Sequence, residues 1–310
     1  AVQGPPGTGK TTLAANVITT LVRDHGWRIG VVAQSHKVVE NVLRAVIRAG
    51  LPKEQVGKSK VDDDVPFTAL PDDGHHNFAA RNADGYVIGG TAWDLTNTKR
   101  VGRRQLDLLV IDEAGQFSLA ATIAVSVAAR NILLLGDPQQ LPQVSQGVHP
   151  APVDQSALGF IADGHAVLPE EYGYFLSESW RMHSAVTAPV SELAYDGELR
   201  SNPSADARML AGIAPGLHPV PVPHAGNSTQ SVEEAARVVD LITDHLGRDW
   251  NGSPLTEDDI IVVTPYNAQV ECIRAALVAH PRVRVGTVDK FQGQEAAVSI
   301  VSMAASAPTC

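Results

Sequence analysis

The sequence contains few cysteines and few aromatic residues. Only two of its 310 residues are cysteine, and Cys272 and Cys310 do not have the spacing of a metal-binding motif. Two cysteines are too few for a disulfide framework, so we expect a reducing, cytoplasmic setting. No neighbouring sequence marks either thiol as a nucleophile, so we interpret both as structurally unremarkable.

Long hydrophobic runs and an excess of positive charge are also missing. No apolar stretch reaches the roughly 20 residues that a membrane-spanning helix needs, and no signal peptide opens the chain, so we expect no membrane partner. The chain has 24 Lys+Arg against 34 Asp+Glu, a net charge of -10. This balance argues against a protein that coats nucleic acid by bulk charge. It leaves room for a motor that holds one strand through a few fixed contacts.

Short apolar runs alternate with helical patterns, which is typical of a parallel α/β architecture. The patterns predict helices at residues 11–24, 37–49, 232–246 and 267–279. They predict buried strands at residues 1–3, 28–34, 86–89, 106–111, 132–135, 259–264, 283–288 and 298–302.

This alternation of strand and helix patterns occurs twice along the chain, so we expect two lobes, at residues 1–150 and 151–310. Residues 52–85 are polar and loop-like, and we interpret them as an insertion on the first lobe. The run Asp62–Asp64 fits a solvated loop better than a metal site, and the pair His75–His76 lacks spaced ligand partners. Residues 145–173, rich in Pro and Gly, are expected to connect the lobes, and residues 203–226 to form an exposed loop.

A glycine-rich turn between the first strand and the first helix matches the pattern G-x-x-x-x-G-K-[ST]. It is formed by Gly4, Pro5, Pro6, Gly7, Thr8, Gly9, Lys10 and Thr11. Glycines let successive backbone N–H groups face phosphate oxygens, and the helix N-terminus adds partial positive charge. We expect Lys10 to reach the β- and γ-phosphates of a nucleotide and the Thr11 hydroxyl to bind Mg²⁺.

Two further polar groups follow apolar strands. Asp112 and Glu113 end one strand, where α/β sheets bind ligands, so we expect Asp112 to hold Mg²⁺ and Glu113 to act as general base. The segment at residues 136–142 follows the next strand, and its Gln140 either senses the γ-phosphate or belongs to a proline-bracketed turn. Chemistry alone leaves these two interpretations open.

Several segments together resemble the motifs of superfamily 1B helicases, the group that contains the nonsense-mediated-decay RNA helicase and its DNA-processing relatives. They are GPPGTGKTT (4–12), AQSHKVVENV (33–42), GGTAW (89–93), VIDEAGQ (110–116), GDPQQLPQV (136–144), SWRMHSAV (179–186), VTPYNAQ (263–269) and VGTVDKFQGQE (285–295). The resemblance implies two RecA-like P-loop NTPase lobes with parallel sheets. Residues 27–50 further resemble the motor of bacterial proteins fused to a RecB-like nuclease.

The resemblance implies roles for further residues around the nucleotide. Gln140 would couple the γ-phosphate to the nucleic-acid side, and Arg181 would reach the γ-phosphate, for which a planar, permanently charged fork is suited. Trp180, where the family usually has Tyr, would stack on adenine. Gly293 and Glu295 would lie at the ribose, and Thr12 would complete the phosphate-binding segment.

The resemblance also implies a groove for a single strand. It would be lined by Ser35, His36, Thr91, Pro142, Thr264, Pro265 and Thr287. Such mostly neutral residues suit a grip that follows the backbone and tolerates any sequence. Each hydroxyl could instead cap a helix or turn. His36 stands where the family often has Asn, which leaves its contact open.

The expected function is an ATP- and Mg²⁺-dependent helicase or translocase on single-stranded nucleic acid, DNA ahead of RNA, and the resemblance implies 5′→3′ movement. A P-loop kinase or GTPase would leave the motifs after residue 178 unexplained, whereas an ATP-gated clamp without unwinding stays an alternative. We expect the chain to be part of a longer protein with an upstream domain, such as a nuclease. The resemblance further implies a downstream segment whose Arg completes the site. The second lobe would then be truncated here, and the fragment alone would turn over slowly.

Overall fold

The computed structural model of the protein describes residues 1–61, 65–141, 147 and 149–306. The chain divides into two compact units, one of Ala1–Met182 with Thr187–Asn202 and one of His183–Val186 with the residues from Pro203 onward. The units divide later than residue 150, and the lobe boundary drawn from the sequence stays a prediction. The expectations for Asp62–Asp64, Pro142 and Cys310 concern residues outside the described part.

The larger unit contains an eight-stranded sheet in the order β4-β3-β5-β2-β6-β7-β1-β8, and all of its neighbouring strands are parallel. Its strands are β1 (Val2–Gln3), β2 (Arg28–Val32), β3 (Val56–Ser59), β4 (Thr68–Leu70), β5 (Tyr86–Gly90), β6 (Leu106–Ile111), β7 (Ala129–Gly136) and β8 (Tyr174–Phe175). Two short parallel strands, β9 (Glu178–Ser179) and β10 (Arg200–Ser201), form a separate pair.

Helices cover both faces of this sheet. They are α1 (Lys10–His25), α2 (His36–Arg48), α3 (His75–Arg81), α4 (Ala92–Thr96), α5 (Leu119–Ser126) and α6 (Ala157–Ala162). A 3₁₀ turn lies at Lys53–Gln55, and α7 (Ser184–Ala194) follows later in the chain, with its residues 187–194 in the larger unit. One core packs α1 and α2 against strand residues such as Val31 and Val110. The other packs Phe117, Val125 and Leu158 against residues such as Ile111. Alternate strand residues thus face opposite cores, as expected for a sheet covered on both sides.

The strand ends bring the expected site residues to one edge. Val32 of β2 pairs with Gly90 of β5 and with Ile111 of β6, so these three strands end level with one another. Ser35, Thr91 and Asp112 follow those ends within a few residues. Because carboxyl ends of parallel strands share an edge, the phosphate-binding turn after β1 lies at the same edge.

Residues 52–85 differ from the loop expected from their sequence, because β3 and β4 extend the main sheet there and α3 contributes Phe78 to one of its cores. The strand β3 carries Lys58, which is fully buried. Its Nζ forms an ion pair with Glu40 Oε1 of α2 at 3.1 Å and donates to Lys60 O at 2.7 Å. A buried charge is tolerated only when paired in this way, so a polar sequence can occupy a sheet position.

The smaller unit has its own sheet and core. Three parallel strands are ordered β14-β13-β15, and two antiparallel strands, β11 and β12, form a ribbon. The elements are β11 (Asp249–Trp250), β12 (Ser253–Pro254), β13 (Ile260–Thr264), β14 (Arg284–Thr287), β15 (Val298–Val301), α8 (Val232–His245), α9 (Asn267–Ala276) and α10 (Val288–Phe291), with a 3₁₀ turn at Glu257–Asp259. Ile242, Val262 and Ile273 are central to the core.

The α/β fold class with parallel sheets is confirmed. Residues 145–173 are not only a connection, because α6 belongs to the larger unit and packs on β7. Among the described residues, no helix is long and apolar enough to cross a membrane.

Candidate active site

The turn between β1 and α1 is held by its own hydrogen bonds. Gly4 N donates to Gly136 O at 2.8 Å, and Thr8 Oγ1 donates to Pro5 O at 2.8 Å. Lys10 Nζ donates to Gly4 O and, at 3.4 Å, to Pro5 O. The ammonium group thus bonds to backbone carbonyls of the same turn that carries the N–H groups.

Glycine is required in this turn for two reasons. Gly7 and Gly9 have φ values of 77° and 81°, in the left-handed region that other residues rarely adopt. A Cβ atom at Gly7 would overlap Cβ of Arg181, and a Cβ at Gly4 would overlap the side chain of Lys10. Neither Gly4 nor Gly7 therefore has room for a side chain. Thr11 and Thr12, in the first turn of α1, are exposed.

Asp112 and Glu113 follow β6 in contrasting environments. Asp112 is only 5% exposed, and burial raises the pKa of its carboxyl to about 6. The charge of Glu113 adds to this rise, whereas the N–H donated by Glu113 at 3.0 Å and the charge of Lys10 oppose it. Glu113 is half-buried and has a φ of 55°. A non-glycine residue in this conformation stores backbone strain, which is concentrated at functional sites in proteins.

The segments that follow β6 and β7 touch through their backbones. A Cβ at Gly115 would overlap the carbonyl oxygen of Asp137, and one at Gly136 would lie 2.6 Å from Gly115 N. Ala114 N donates to Leu135 O at 2.8 Å. No side chain separates the Glu113 segment from the Gln140 segment at this point.

Asp137, which the sequence analysis did not single out, organises the turn that carries Gln140. It is 1% exposed. Its Oδ1 accepts from Gln139 N at 3.2 Å, and its Oδ2 accepts from Gln140 Nε2 at 3.3 Å and from the Tyr195 hydroxyl at 2.7 Å. The polar residue after a buried strand was a signal for Asp137, but no motif marked Tyr195.

The segment that carries Trp180 and Arg181 lies against the phosphate-binding turn within the larger unit. Trp180 N donates to Gly7 O at 2.9 Å, and Ser179 Oγ donates to Pro6 O at 2.9 Å. The indole of Trp180 remains 52% exposed, whereas Arg181 is half-buried. The structure thus brings Lys10, Asp112, Glu113, Gln140 and this segment to one edge of one unit.

The hydroxyls expected to line a strand groove in this unit cap helices. Ser35 Oγ accepts from Val38 N at 3.3 Å at the start of α2. Thr91 Oγ1 donates to Asp94 Oδ2 at 2.8 Å in the capping box of α4. His36 is half-buried, and its Nδ1 has no hydrogen-bond partner within the described ranges. Capping does not test strand contact, so these roles stay predictions.

The remaining expected residues lie in the smaller unit. Thr264, at the end of β13, is buried, and its hydroxyl has no partner among the residues that the structure describes. Pro265 is exposed, and Thr287 begins α10 without capping it through its side chain. Gly293 and Glu295 are both exposed. Their predicted roles are not tested by this unit alone.

The donor set near Asp112 suits a hard divalent cation. A buried carboxylate with a raised pKa gains from a nearby positive charge, and hydroxyl and carboxylate oxygens are the groups that Mg²⁺ prefers. Among the described residues, no group of three or more His, Cys, Asp or Glu side chains could hold a metal by itself, so a cation at Asp112 would need other oxygen ligands.

Comparison with known families decides the class of this site. Models described as "AAA domain" match residues 1–156 and residues 160–309. The chain belongs to the AAA domain family. The first match includes the phosphate-binding turn, and the second includes the smaller unit of this AAA domain protein.

Curated relatives cover most of this AAA domain chain at low identity. DNA-binding protein SMUBP-2 of Rattus norvegicus is 26% identical over 95% of the chain and 36% of its own length. DNA replication ATP-dependent helicase/nuclease JHS1 of Arabidopsis thaliana is 25% identical, covering 97% and 24%. The Regulator of nonsense transcripts 1 homolog of Drosophila melanogaster is 24% identical, covering 97% and 30%. The chain thus spans a quarter to about a third of these relatives.

One solved structure supports the fold. An arterivirus nonstructural protein 10 (helicase) in complex with DNA superposes with a TM-score of 0.50 at 15% identity, covering 97% of this chain and 59% of that one. The family models and the curated relatives confirm the resemblance to superfamily 1B helicase motors. The closer resemblance to nuclease-fused motors stays a prediction.

Proposed function

We propose that this chain is the ATP-hydrolysing motor of a helicase that moves along single-stranded nucleic acid. The observation that carries the proposal is the shared edge of the larger unit. There the Lys10 ammonium and the Trp180 segment contact the turn after β1, and the Asp112–Glu113 pair and Gln140 follow the ends of the neighbouring strands. This set offers a phosphate-binding turn with its lysine, a carboxylate that could hold Mg²⁺ and a candidate general base for phosphoryl transfer to water.

Binding of ATP would replace hydrogen bonds that Lys10 already makes within the turn. The Lys10 ammonium would leave the carbonyls of Gly4 and Pro5 for phosphate oxygens, which are charged and therefore stronger acceptors. Asp112 and Thr11 would hold Mg²⁺, which neutralises phosphate charge when bound. The exposed indole of Trp180 offers a flat surface on which adenine can stack.

Glu113 is the group best placed to take the proton of the attacking water. Its side chain is half-buried, whereas that of Asp112 is enclosed. The left-handed turn at Glu113 directs its side chain differently from that of the adjacent Asp112. The two neighbouring carboxyls can therefore serve separate purposes, as ligand and as base.

Single-stranded nucleic acid is proposed as the partner, DNA ahead of RNA, because several relatives are named for DNA binding or DNA replication. The net charge of -10 and the neutral groove candidates imply a grip without base preference. Binding should weaken as salt rises, through release of counterions. The cytoplasmic setting and the upstream nuclease remain parts of this proposal.

The test uses the full-length protein in two assays. ATP hydrolysis is measured alone and with single-stranded DNA or RNA of mixed sequence, and strand displacement is measured on a tailed duplex, with Lys10→Ala as the matched inactive variant. Stimulated hydrolysis with displacement supports the proposal. Stimulation without displacement would favour an ATP-gated clamp, and hydrolysis indifferent to every strand would contradict a nucleic-acid motor.

A further inference from the structure

Tyr195 lies directly after α7, buried against the turn that carries Gln140. It is 3% exposed, and its ring packs at 6.0 Å from that of Phe175 on β8. Its hydroxyl donates to Asp137 Oδ2 at 2.7 Å, the same oxygen that accepts Gln140 Nε2 at 3.3 Å. A residue more than fifty positions away in sequence thus shares one carboxylate oxygen with the expected phosphate sensor.

The carboxylate decides which end of the Gln140 amide faces it. An ionised carboxylate only accepts hydrogen bonds, so the amide must turn its NH₂ group toward Asp137. The side-chain oxygen Oε1 then faces away from Asp137. Burial and the charge of Asp137 raise the pKa of the Tyr195 hydroxyl, which keeps it protonated as a donor.

We propose that Tyr195 is a positioning residue that anchors Asp137, so that Gln140 presents its side-chain oxygen to the attacking water. This inference rests on the proposed ATP hydrolysis. In that step the water oxygen bonds to the γ-phosphorus, and the bond from that phosphorus to the β,γ-bridging oxygen breaks with its electron pair on ADP. Glu113 takes the water proton. Gln140 accepts a hydrogen bond from the water and exchanges no proton.

The first test is Tyr195→Phe in the full-length protein. The ring contact with Phe175 is kept and only the hydroxyl is lost. We expect strand-stimulated kcat to fall about tenfold, the size of one hydrogen bond to a charged group. The KM for ATP should stay within about twofold, because the Lys10 cradle is untouched.

A double-mutant cycle separates positioning from general support. In a Gln140→Ala background, Tyr195→Phe should cause no further loss of kcat, because its effect acts through Gln140. Asp137→Asn should give the same kcat loss as Tyr195→Phe, because an Asn side chain can also donate and no longer dictates the orientation of the amide. Additive losses in the cycle would overturn the inference.

The matched control is Tyr86→Phe. Tyr86 is also buried, and its hydroxyl also meets a glutamine amide, that of Gln105 at 3.2 Å, but at the opposite end of β5 from the site. It should lose a similar amount of stability and keep its kcat. A normal kcat in Tyr195→Phe, with active parent protein, overturns the positioning role alone. A parent that does not hydrolyse ATP overturns the proposed function instead.

Discussion

The negative charge of Asp112 should lower the free energy of unfolding of the protein, although the proposed ATP hydrolysis uses that charge. Its pKa rises from 3.8 to about 6 in the folded protein, chiefly through burial. At 1.36 kcal/mol per unit, the ionised carboxylate destabilises the folded state by about 3 kcal/mol at neutral pH. The folded state binds the proton more tightly, so this cost is small below about pH 4 and develops as pH rises from there to about 6.

Asp112→Asn removes the charge and can keep the hydrogen bond from Glu113 N. In buffer with EDTA and no nucleotide, urea unfolding at pH 7.5 should show the variant more stable than the parent by roughly 2–3 kcal/mol. At pH 4 the gain should shrink below about 1 kcal/mol. With ATP and Mg²⁺ the order should reverse, because only the parent gains stability from the ligand.

Asp107 on the same strand is the matched control of opposite sign. Its carboxyl accepts hydrogen bonds from Arg28, which lower its pKa, so its contribution to stability is present at neutral pH and is lost as pH falls through the folded-state pKa. Asp107→Asn should therefore destabilise at pH 7.5. An Asp112→Asn variant that is less stable at pH 7.5, or equally stabilised at both pH values, would refute the burial argument.

Three further variants test the cradle and the base. Lys10→Ala should abolish turnover and weaken nucleotide binding, measured by ATPase assay and titration with a fluorescent nucleotide; turnover within twofold of the parent contradicts the assignment. Glu113→Gln should keep ATP–Mg²⁺ binding while single-turnover hydrolysis falls by roughly 10²-fold or more, and joint loss of binding would make Glu113 structural or a ligand. Gly7→Ala should lower the thermal midpoint and raise KM for ATP, because its Cβ would overlap that of Arg181; unchanged values would show that the turn has room.

The sequence predicted the elements that carry continuous apolar runs. The run at residues 106–111 is β6 to the residue, and the runs at residues 28–34 and 259–264 contain β2 and β13. Each is buried on both faces, so apolar content and strand position coincide. The glycine-rich turn could also be predicted from the sequence, because its left-handed residues require glycine at fixed positions.

The structure of polar segments could not be predicted from apolar patterns. The strand β3 has only one large apolar residue, Val56, and its Lys58 is buried only because Glu40 of another element neutralises it. Likewise, Tyr195 meets Asp137 across 58 positions, and no local pattern records that contact. Sequence periodicity reports which residues avoid water, whereas these pairings depend on partners that only the folded chain supplies.

The bare backbone contact between Gly115 and Asp137 has a mechanical consequence. Side chains packed between two loops can adjust when one loop moves, but no side chain lies between the backbones of Gly115 and Asp137 at their contact. A movement of the Gln140 turn on meeting a phosphate would therefore press directly on the backbone of the Glu113 turn. Detection of the nucleotide and placement of the base would then be one event with one timing, and any side chain introduced at residue 115 would separate them.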